Sequence, residues 1–363
     1  MRRVRIEDLR LGMEVARTVF DSNGRVLLQV GVKLSDSFIA RLGELGIPSL
    51  YIQDEFDNGL SVADVVAEET RVEAIKAVKT NFRLLEQQKK INIRIVQTMV
   101  DNLIDELLAN NHVLVNLADI RTFDDYTFAH SVNVCILSIM CGITLSYHDL
   151  KLKELGIGAL LHDIGKTKVD ISILNKEEEL TREEFIEIKK HSEYGFNILR
   201  QYPDVSLLSA HIAFQHHERW DGKGYPRQLD GDKILEYARI VAVADVYDAL
   251  LADRPYRPSY SVSQAITILQ RMSGIYLDPE CVTALVANIA IYPIGSIVEL
   301  NSGDIGIVVD NNKETPNRPI LKIVYDTKNQ RMIRPHEVDL SKLSTVVIRK
   351  TLTEEDIACL KIL

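Results

Sequence analysis

Two adjacent histidines, His216 and His217, stand beside Glu218 in the run HHERWDGKGYP, which ends on the rigid Gly224-Tyr225-Pro226. Such a pair in isolation is ordinarily two solvated side chains. Other ionisable residues of the chain are harder to assign to solvent. His162-Asp163 falls in GALLHDIGK, an otherwise apolar helical pattern, where an ionised carboxylate is costly unless paired or coordinated. Asp245 repeats the anomaly in ARIVAVADVYDAL, where Ile240, Val241, Val243 and Ala244 argue for burial. His191 belongs to a helix opened by the capping box Thr181-x-x-Glu184. Phe185, Ile188, His191, Gly195 and Ile198 fall on one face of that helix, which predicts that His191 points to the core. His130 lies in DDYTFAHSVNVCILS, a helix for which Asp124 or Asp125 is the predicted cap.

Each of these residues alone has an ordinary explanation: a hydrogen-bonded core histidine, a salt-bridged aspartate, a surface imidazole. Taken jointly, each buried group would need its own partner, whereas one shared metal site satisfies all of them. Imidazoles and carboxylates without thiolates suit iron, manganese, zinc or nickel rather than a structural thiolate site. Seven donors exceed one tetrahedral shell, and an aspartate can bridge two ions. A pair of metals about 3.5–4 Å apart suits phosphoester hydrolysis, because it activates water and screens phosphate oxygens.

The elements that must position these donors occupy the middle of a 363-residue chain. Residues 1–58 predict a small α/β module: VARTVF and RVLLQV flank an Asn-Gly hairpin turn at Asp21–Gly24, SDSFIARLGELGI forms a short helix capped by Ser35, and YIQD closes as a strand. Residues 59–109 predict linker helices. Val72, Ile75, Val78, Phe82 and Leu85, then Ile93, Val96, Val100, Leu103 and Leu107, make one apolar seam over 62–108. That seam either packs on the adjacent domain or forms a homodimer. Residues 110–290 are helical in pattern. Residues 291–363 change to short β-type runs, SIVEL, IGIVV, ILKIVYD and STVVIRK, which predict a small β-rich domain. The expected fold is thus multidomain and mainly α, an all-α domain between a small α/β module and a small β-rich one.

A net charge of −9 argues against a nucleic-acid polymer or an anionic membrane as partner. An anionic ligand would need a locally positive site, such as a metal cluster. The four cysteines, at 135, 141, 281 and 359, show no paired spacing and read as reduced thiols. No apolar run approaches the roughly 20 residues of a membrane-spanning helix, and the basic start MRRVRIEDLR has no apolar core behind it. The expected compartment is the cytoplasm.

The series His130, His162-Asp163, His191, His216-His217 and Asp245 resembles the HD-GYP domain of the HD metal-dependent phosphohydrolase superfamily. LHDIGK, LTREEFIEIKKH, HHERWDGKGYP and ADVYDAL stand in the family's order over about residues 110–290. The resemblance implies an α-helical domain with two divalent ions, iron or manganese, with zinc or nickel as alternatives. It implies hydrolysis of cyclic di-GMP to pGpG, with GMP as the alternative end product, by a metal-bridging hydroxide. Carried over by position, it assigns His130, His162, Asp163 and Asp245 to one metal, with Asp163 bridging to a second held by His191, His216 and His217. Asp163 and Lys166 become catalytic, Lys166 on a phosphate oxygen; Tyr225, Arg254 and Arg257 become contacts to the dinucleotide. Gly222, Gly224 and Pro226 would shape the substrate loop, with Glu218 and Asp221 orienting it or the imidazoles. Where some members carry a glutamate four residues before the first histidine and bind a third metal, this chain has Tyr126, which favours two. A low-turnover receptor and a hydrolase of another cyclic dinucleotide are the competing readings.

Overall fold

The computed structural model describes residues 2–20, 25–45, 47, 49–53, 65–111, 113–115, 126–176, 178–252, 260–327, 330–353 and 356–357. They divide between two units, one of Met1–Val65, His112–Asp125 and Ile289–Leu363, the other of Val66–Asn111 and Tyr126–Asn288.

In the first unit, β1 (Arg2–Arg5), β2 (Glu14–Val15), β3 (Val19–Phe20), β4 (Val26–Leu28) and β5 (Ser49–Gln53) form two small sheets. Their orders are β1-β5-β2 and β3-β4, all antiparallel. The expected Asp21–Gly24 turn lies outside the described residues, between two strands that do pair. α1 (Asp36–Glu44) starts where predicted, with the Ser35 hydroxyl accepting from the Phe38 amide at 3.2 Å. Val4, Val15, Leu34, Leu42 and Leu50 form its core. The C-terminal strands β6 (Ile297–Leu300), β7 (Ile305–Asp310), β8 (Ile320–Tyr325), β9 (Arg331–Asp339) and β10 (Ile348–Thr351) make one antiparallel sheet in the order β10-β6-β7-β8-β9. Sequence reading finds four of these five and misses β9. That strand is an exposed edge carrying Arg334, Pro335 and His336, so it shows no apolar alternation.

The second unit is helical: α2 (Glu68–Glu86), α3 (Ile93–Ala109), α4 (Tyr126–Thr144), α5 (Asp149–Leu160), α6 (Ile171–Leu174), α7 (Arg182–Lys189), α8 (His191–Leu199), α9 (Leu207–Gln215), α10 (Glu236–Leu251), α11 (Val262–Met272) and α12 (Pro279–Val286). The fold-class expectation is met: helices in the middle, small N-terminal strands, a β-rich C-terminus. Val78, Phe82, Leu85, Val96, Val100, Leu103 and Leu107 of the α2–α3 seam are buried within this unit, where the two helices pack on each other, on α4 and, through α3, on α5. The seam is therefore filled intramolecularly. α4 corrects one expectation. Its 18-residue window Thr127–Thr144, of mean hydropathy 1.5, is long and apolar enough to span a bilayer, yet 78% of it is buried among other helices.

Two helix boundaries also differ from the sequence reading. α5 stops at Leu160, so His162-Asp163 occupies the turn before a short 3-10 helix, Ile164–Lys168, rather than a helix interior. The capping box at Thr181 forms as expected, with Glu184 and Thr181 exchanging hydrogen bonds of 2.7 and 3.2 Å. The helix it opens breaks at Lys190, however, and Phe185 is 47% exposed while His191 and Gly195 are buried. The expected single apolar face therefore exists only on the α8 side of the break.

The 3-10 turn sits directly on the α8 backbone. A Cβ at Gly165 would lie 1.9 Å from the His191 carbonyl oxygen and 2.4 Å from the Gly195 nitrogen, so only glycine permits this approach. Gly165→Ala must push the turn off α8, at a cost of about 3 kcal/mol or more, the upper end for an overpacked core. Denaturant unfolding of that variant is expected to show the loss directly.

Candidate metal centre

The seven predicted donors arrive from five places in the helical unit: His130 from α4, His162 and Asp163 from the turn after α5, His191 from the first residue of α8, His216 and His217 from the C-terminal end of α9, and Asp245 from mid-α10. They meet in three overlapping groups whose potential ligand atoms lie within 4.8 Å of one another. These are His130, His162 and Asp245; His191, His216 and His217; and, between them, His162, Asp163 and His216.

The imidazoles are aimed by what holds their outer nitrogens. His162 Nδ1 donates to the Ala159 carbonyl at 2.8 Å, His191 Nδ1 to Ile188 at 2.6 Å, and His216 Nδ1 to Ala213 at 3.0 Å. His130 Nδ1 instead meets the Asp248 carboxylate at 2.6 Å. In all four the second nitrogen, Nε2, faces inward, and in His162, His191 and His216 it is thereby left as the acceptor that a metal requires. Those Nε2 atoms face carboxylate oxygens: His130 to Asp245 at 3.1 Å, His162 to Asp163 at 3.3 Å, His191 to Asp163 at 3.6 Å. Two donors each about 2.1 Å from a common ion, at angles of 90–110°, are separated by about 3.0–3.4 Å. The spacing fits a shared cation. His162 Nε2 and Asp163 Oδ1 are also buried with no hydrogen-bond partner among the described residues, a costly arrangement that a cation would relieve.

The electrostatics point the same way. Burial pushes His216 well below the usual histidine range, His191 also down, and His217 down to about 3, so these three imidazoles are neutral lone-pair donors at neutral pH. Burial would raise Asp163, but Lys166, His162 and His191 outweigh it and hold the carboxyl well below its ordinary value. Asp245 is likewise lowered, with His130 overcoming burial. At His130, burial lowers the pKa, yet Asp245 and Asp248 together outweigh it and raise the group to about 9. Three neutral imidazoles and two ionised carboxylates suit divalent cations of borderline softness, and a cation at His130 Nε2 would displace the proton there.

Around this centre the other predicted residues take definite places. Lys166 Nζ, partly exposed, lies 2.5 Å from Asp163 Oδ2. The Tyr225 ring stacks on His217 with centroids 4.7 Å apart, and Lys189 Nζ stands 5.0 Å from the Tyr225 ring. Glu218 shapes the loop rather than the imidazoles, since its buried carboxylate accepts from the amides of Arg227 at 2.7 Å and Leu229 at 3.0 Å. Asp221 binds the Arg219 guanidinium at 2.6 and 3.0 Å, and that guanidinium lies over the Tyr276 ring at 3.6 Å. A Cβ on Gly224 would stand 2.4 Å from the Arg219 nitrogen, so the loop folds back on its own backbone there. Arg254, Arg257, Asp124 and Asp125 lie outside the described residues, as does the side chain of Tyr126.

Sequence reading missed Asp248 and Asn133. Both are buried, and the Asn133 amide donates to Asp248 at 3.0 Å. The available signal was spacing: Asp248 lies three residues after Asp245 and Asn133 three after His130, so each shares a helix face with a donor.

Replacing Glu218 by alanine leaves the Arg227 and Leu229 amides without their acceptor, at about 1–3 kcal/mol for each buried donor. The expected outcome is lost hydrogen-exchange protection at those two amides, with exchange in α4 and α10 unchanged.

Comparison with known proteins matches residues 103–281 to the family described as HD domain and residues 297–360 to the KOW domain associated with HD domain. The chain is similar to the cyclic di-GMP phosphodiesterase PA4108 of Pseudomonas aeruginosa, 35% identical over 266 residues, 73% of this chain and 64% of that protein. It also resembles the 3'3'-cGAMP-specific phosphodiesterase 3 of Vibrio cholerae, 38% identical over 160 residues, 44% of this chain and 35% of that one. The chain thus spans less than two thirds of the length of either. Among solved structures, Bd1817, an HDG"Y"P protein from Bdellovibrio bacteriovorus, shares the fold with a TM-score of 0.52 at 20% identity, covering 78% of this chain and 97% of that one. By sequence and by fold, residues 103–281 are an HD domain, and residues 297–360 are the KOW domain that accompanies it.

Proposed function

We propose that the HD domain is a metal-dependent phosphodiesterase that hydrolyses cyclic di-GMP to pGpG, with GMP as the alternative end product. The observation that carries this reading is the convergence of seven imidazole and carboxylate donors, with four imidazoles anchored through Nδ1 so that Nε2 faces the carboxylates. Its support in chemistry is the similarity to a protein named as a cyclic di-GMP phosphodiesterase.

In this reading His130, His162, Asp163 and Asp245 would hold one divalent ion, and His191, His216 and His217, with Asp163, would hold a second. Iron or manganese suits the donor set, with zinc or nickel as alternatives. When bound, the ions supply positive charge against the phosphate oxygens and lower the pKa of coordinated water. Lys166 is the nearby cation for a phosphate oxygen, moving from Asp163 onto the diester. Tyr225, stacked on His217, is a wall for the dinucleotide. Arg254 and Arg257 grip guanine or phosphate through their planar forks. Cys135, Cys141 and Cys281 are free and buried, which fits the reducing cytoplasm where we place the activity.

A second reading, hydrolysis of a different cyclic dinucleotide, is favoured by the likeness to the Vibrio 3'3'-cGAMP-specific enzyme. Chromatography of both substrates with the purified protein separates the two, and tight cyclic di-GMP binding without turnover would indicate a receptor. Asp163→Ala is expected to lower bound metal and abolish turnover while leaving the helical circular dichroism intact. His211→Ala, outside the donor set, is expected to keep both. Undiminished metal in the Asp163 variant would overturn the assignment.

Arg254→Ala is expected to leave metal content unaltered and to raise KM. Losing a charge-assisted hydrogen bond costs about 1.5–3 kcal/mol, or about ten- to a hundred-fold in kcat/KM. Unchanged kinetics with cyclic di-GMP would remove Arg254 from the substrate site.

A further inference from the structure

His162, His191 and His216 are anchored through Nδ1 to backbone carbonyls, whereas the His130 anchor is the side chain of Asp248. That carboxylate is itself held. Asp248, fully buried on α10, accepts from the Asn133 amide on α4 at 3.0 Å, and Asn133 Oδ1 in turn accepts from Arg71 Nη1 on α2 at 2.9 Å. The chain of bonds has a fixed direction. Arginine has donors and no acceptor, so the Asn133 oxygen must face Arg71 and its NH2 must face Asp248. Asp248 then accepts from both Asn133 and His130, which holds a proton on His130 Nδ1 and turns Nε2 to Asp245 at 3.1 Å.

We propose that Arg71 is a positioning residue for His130, acting through Asn133 and Asp248 to set how tightly the group His130, His162 and Asp245 takes up a divalent cation. The proposal rests on the reading that this group holds a metal. It adds a control point that touches no donor. In chain order α2 is the first helix after the N-terminal module, so an input that draws Arg71 away weakens one metal position and leaves the other alone.

The test is calorimetric titration of Mn2+ into metal-stripped full-length protein, as wild type, Arg71→Gln, Arg71→Lys and Asp248→Asn. Loss of such an orienting partner typically lowers affinity about 10–100-fold, which is the change expected for one class of site in Asp248→Asn. Arg71→Gln is expected to weaken the same class by a smaller factor, Arg71→Lys to recover part of it, and the second class to stay at its wild-type affinity. An unchanged thermal midpoint in the Arg71 variants separates this effect from general destabilisation. Wild-type affinity at both classes in Arg71→Gln, or an equal fall at both classes, would overturn the proposal. Failure of the wild-type protein to take up Mn2+ would instead strike the metal reading on which it rests.

Discussion

Burying five ionisable side chains, with His217 and Asp245 half-buried beside them, carries a desolvation penalty that side-chain hydrogen bonds alone do not cancel, and much of the architecture answers that constraint. Asp163 is almost wholly buried, as are His162, His191 and His216. Such groups persist only if opposite charge lies close by and each remaining polar atom has a partner. The protein meets most of the requirement with its own backbone. Helix-end and turn carbonyls at Ala159, Ile188 and Ala213 take the outer imidazole protons, which is why three histidines stand at helix termini or in turns. Lys166 and the neighbouring imidazoles keep Asp163 ionised. What is left over, His162 Nε2 and Asp163 Oδ1, marks where the balance is incomplete without a cation.

The same constraint explains how much of the centre was legible in sequence. An ionisable residue inside an apolar run is conspicuous because its burial is costly, so His130, His162, Asp163 and Asp245 stood out, while His191 was marked by its helix face and His216 and His217 by their adjacency. Asp248 and Asn133 did not, because a polar residue one helical turn from a recognised donor looks like an ordinary polar helix position. The end of α5 at Leu160 was hidden too: the sequence around it has no proline and its next glycine is Gly165, so local signals continue the helix through His162-Asp163. The break at Lys190 was invisible for a related reason. Both Lys190 flanks have good helical propensity, and the backbone there stays in the helical region at φ −65°, ψ −15°.

At the edges of the molecule the limits were of another kind. β1, the basic run RRVR, and β9 carry almost no apolar alternation, since pairing to β5 and β8 rather than a hydrophobic face defines them. The better-patterned strands, β6, β7 and β8, have buried faces and were read correctly. Sheet edges are defined by neighbours that lie far away in sequence, and short-range pattern is blind to them.

The donors are drawn from residues as far apart as His130 and Asp245, on separate helices. No local fragment of the chain can assemble the centre, so an unfolded or half-folded chain offers a cation only scattered ligands, at most in adjacent pairs. Occupancy and folding are therefore thermodynamically linked: a ligand that binds only the native state stabilises it by about 2.7 kcal/mol at a free concentration a hundred times its Kd. With a cation bound, the stability of the helical unit would depend on the cation supply of its surroundings. A cation held by this centre would therefore guard the helical unit against unfolding and proteolysis, and its removal would expose both.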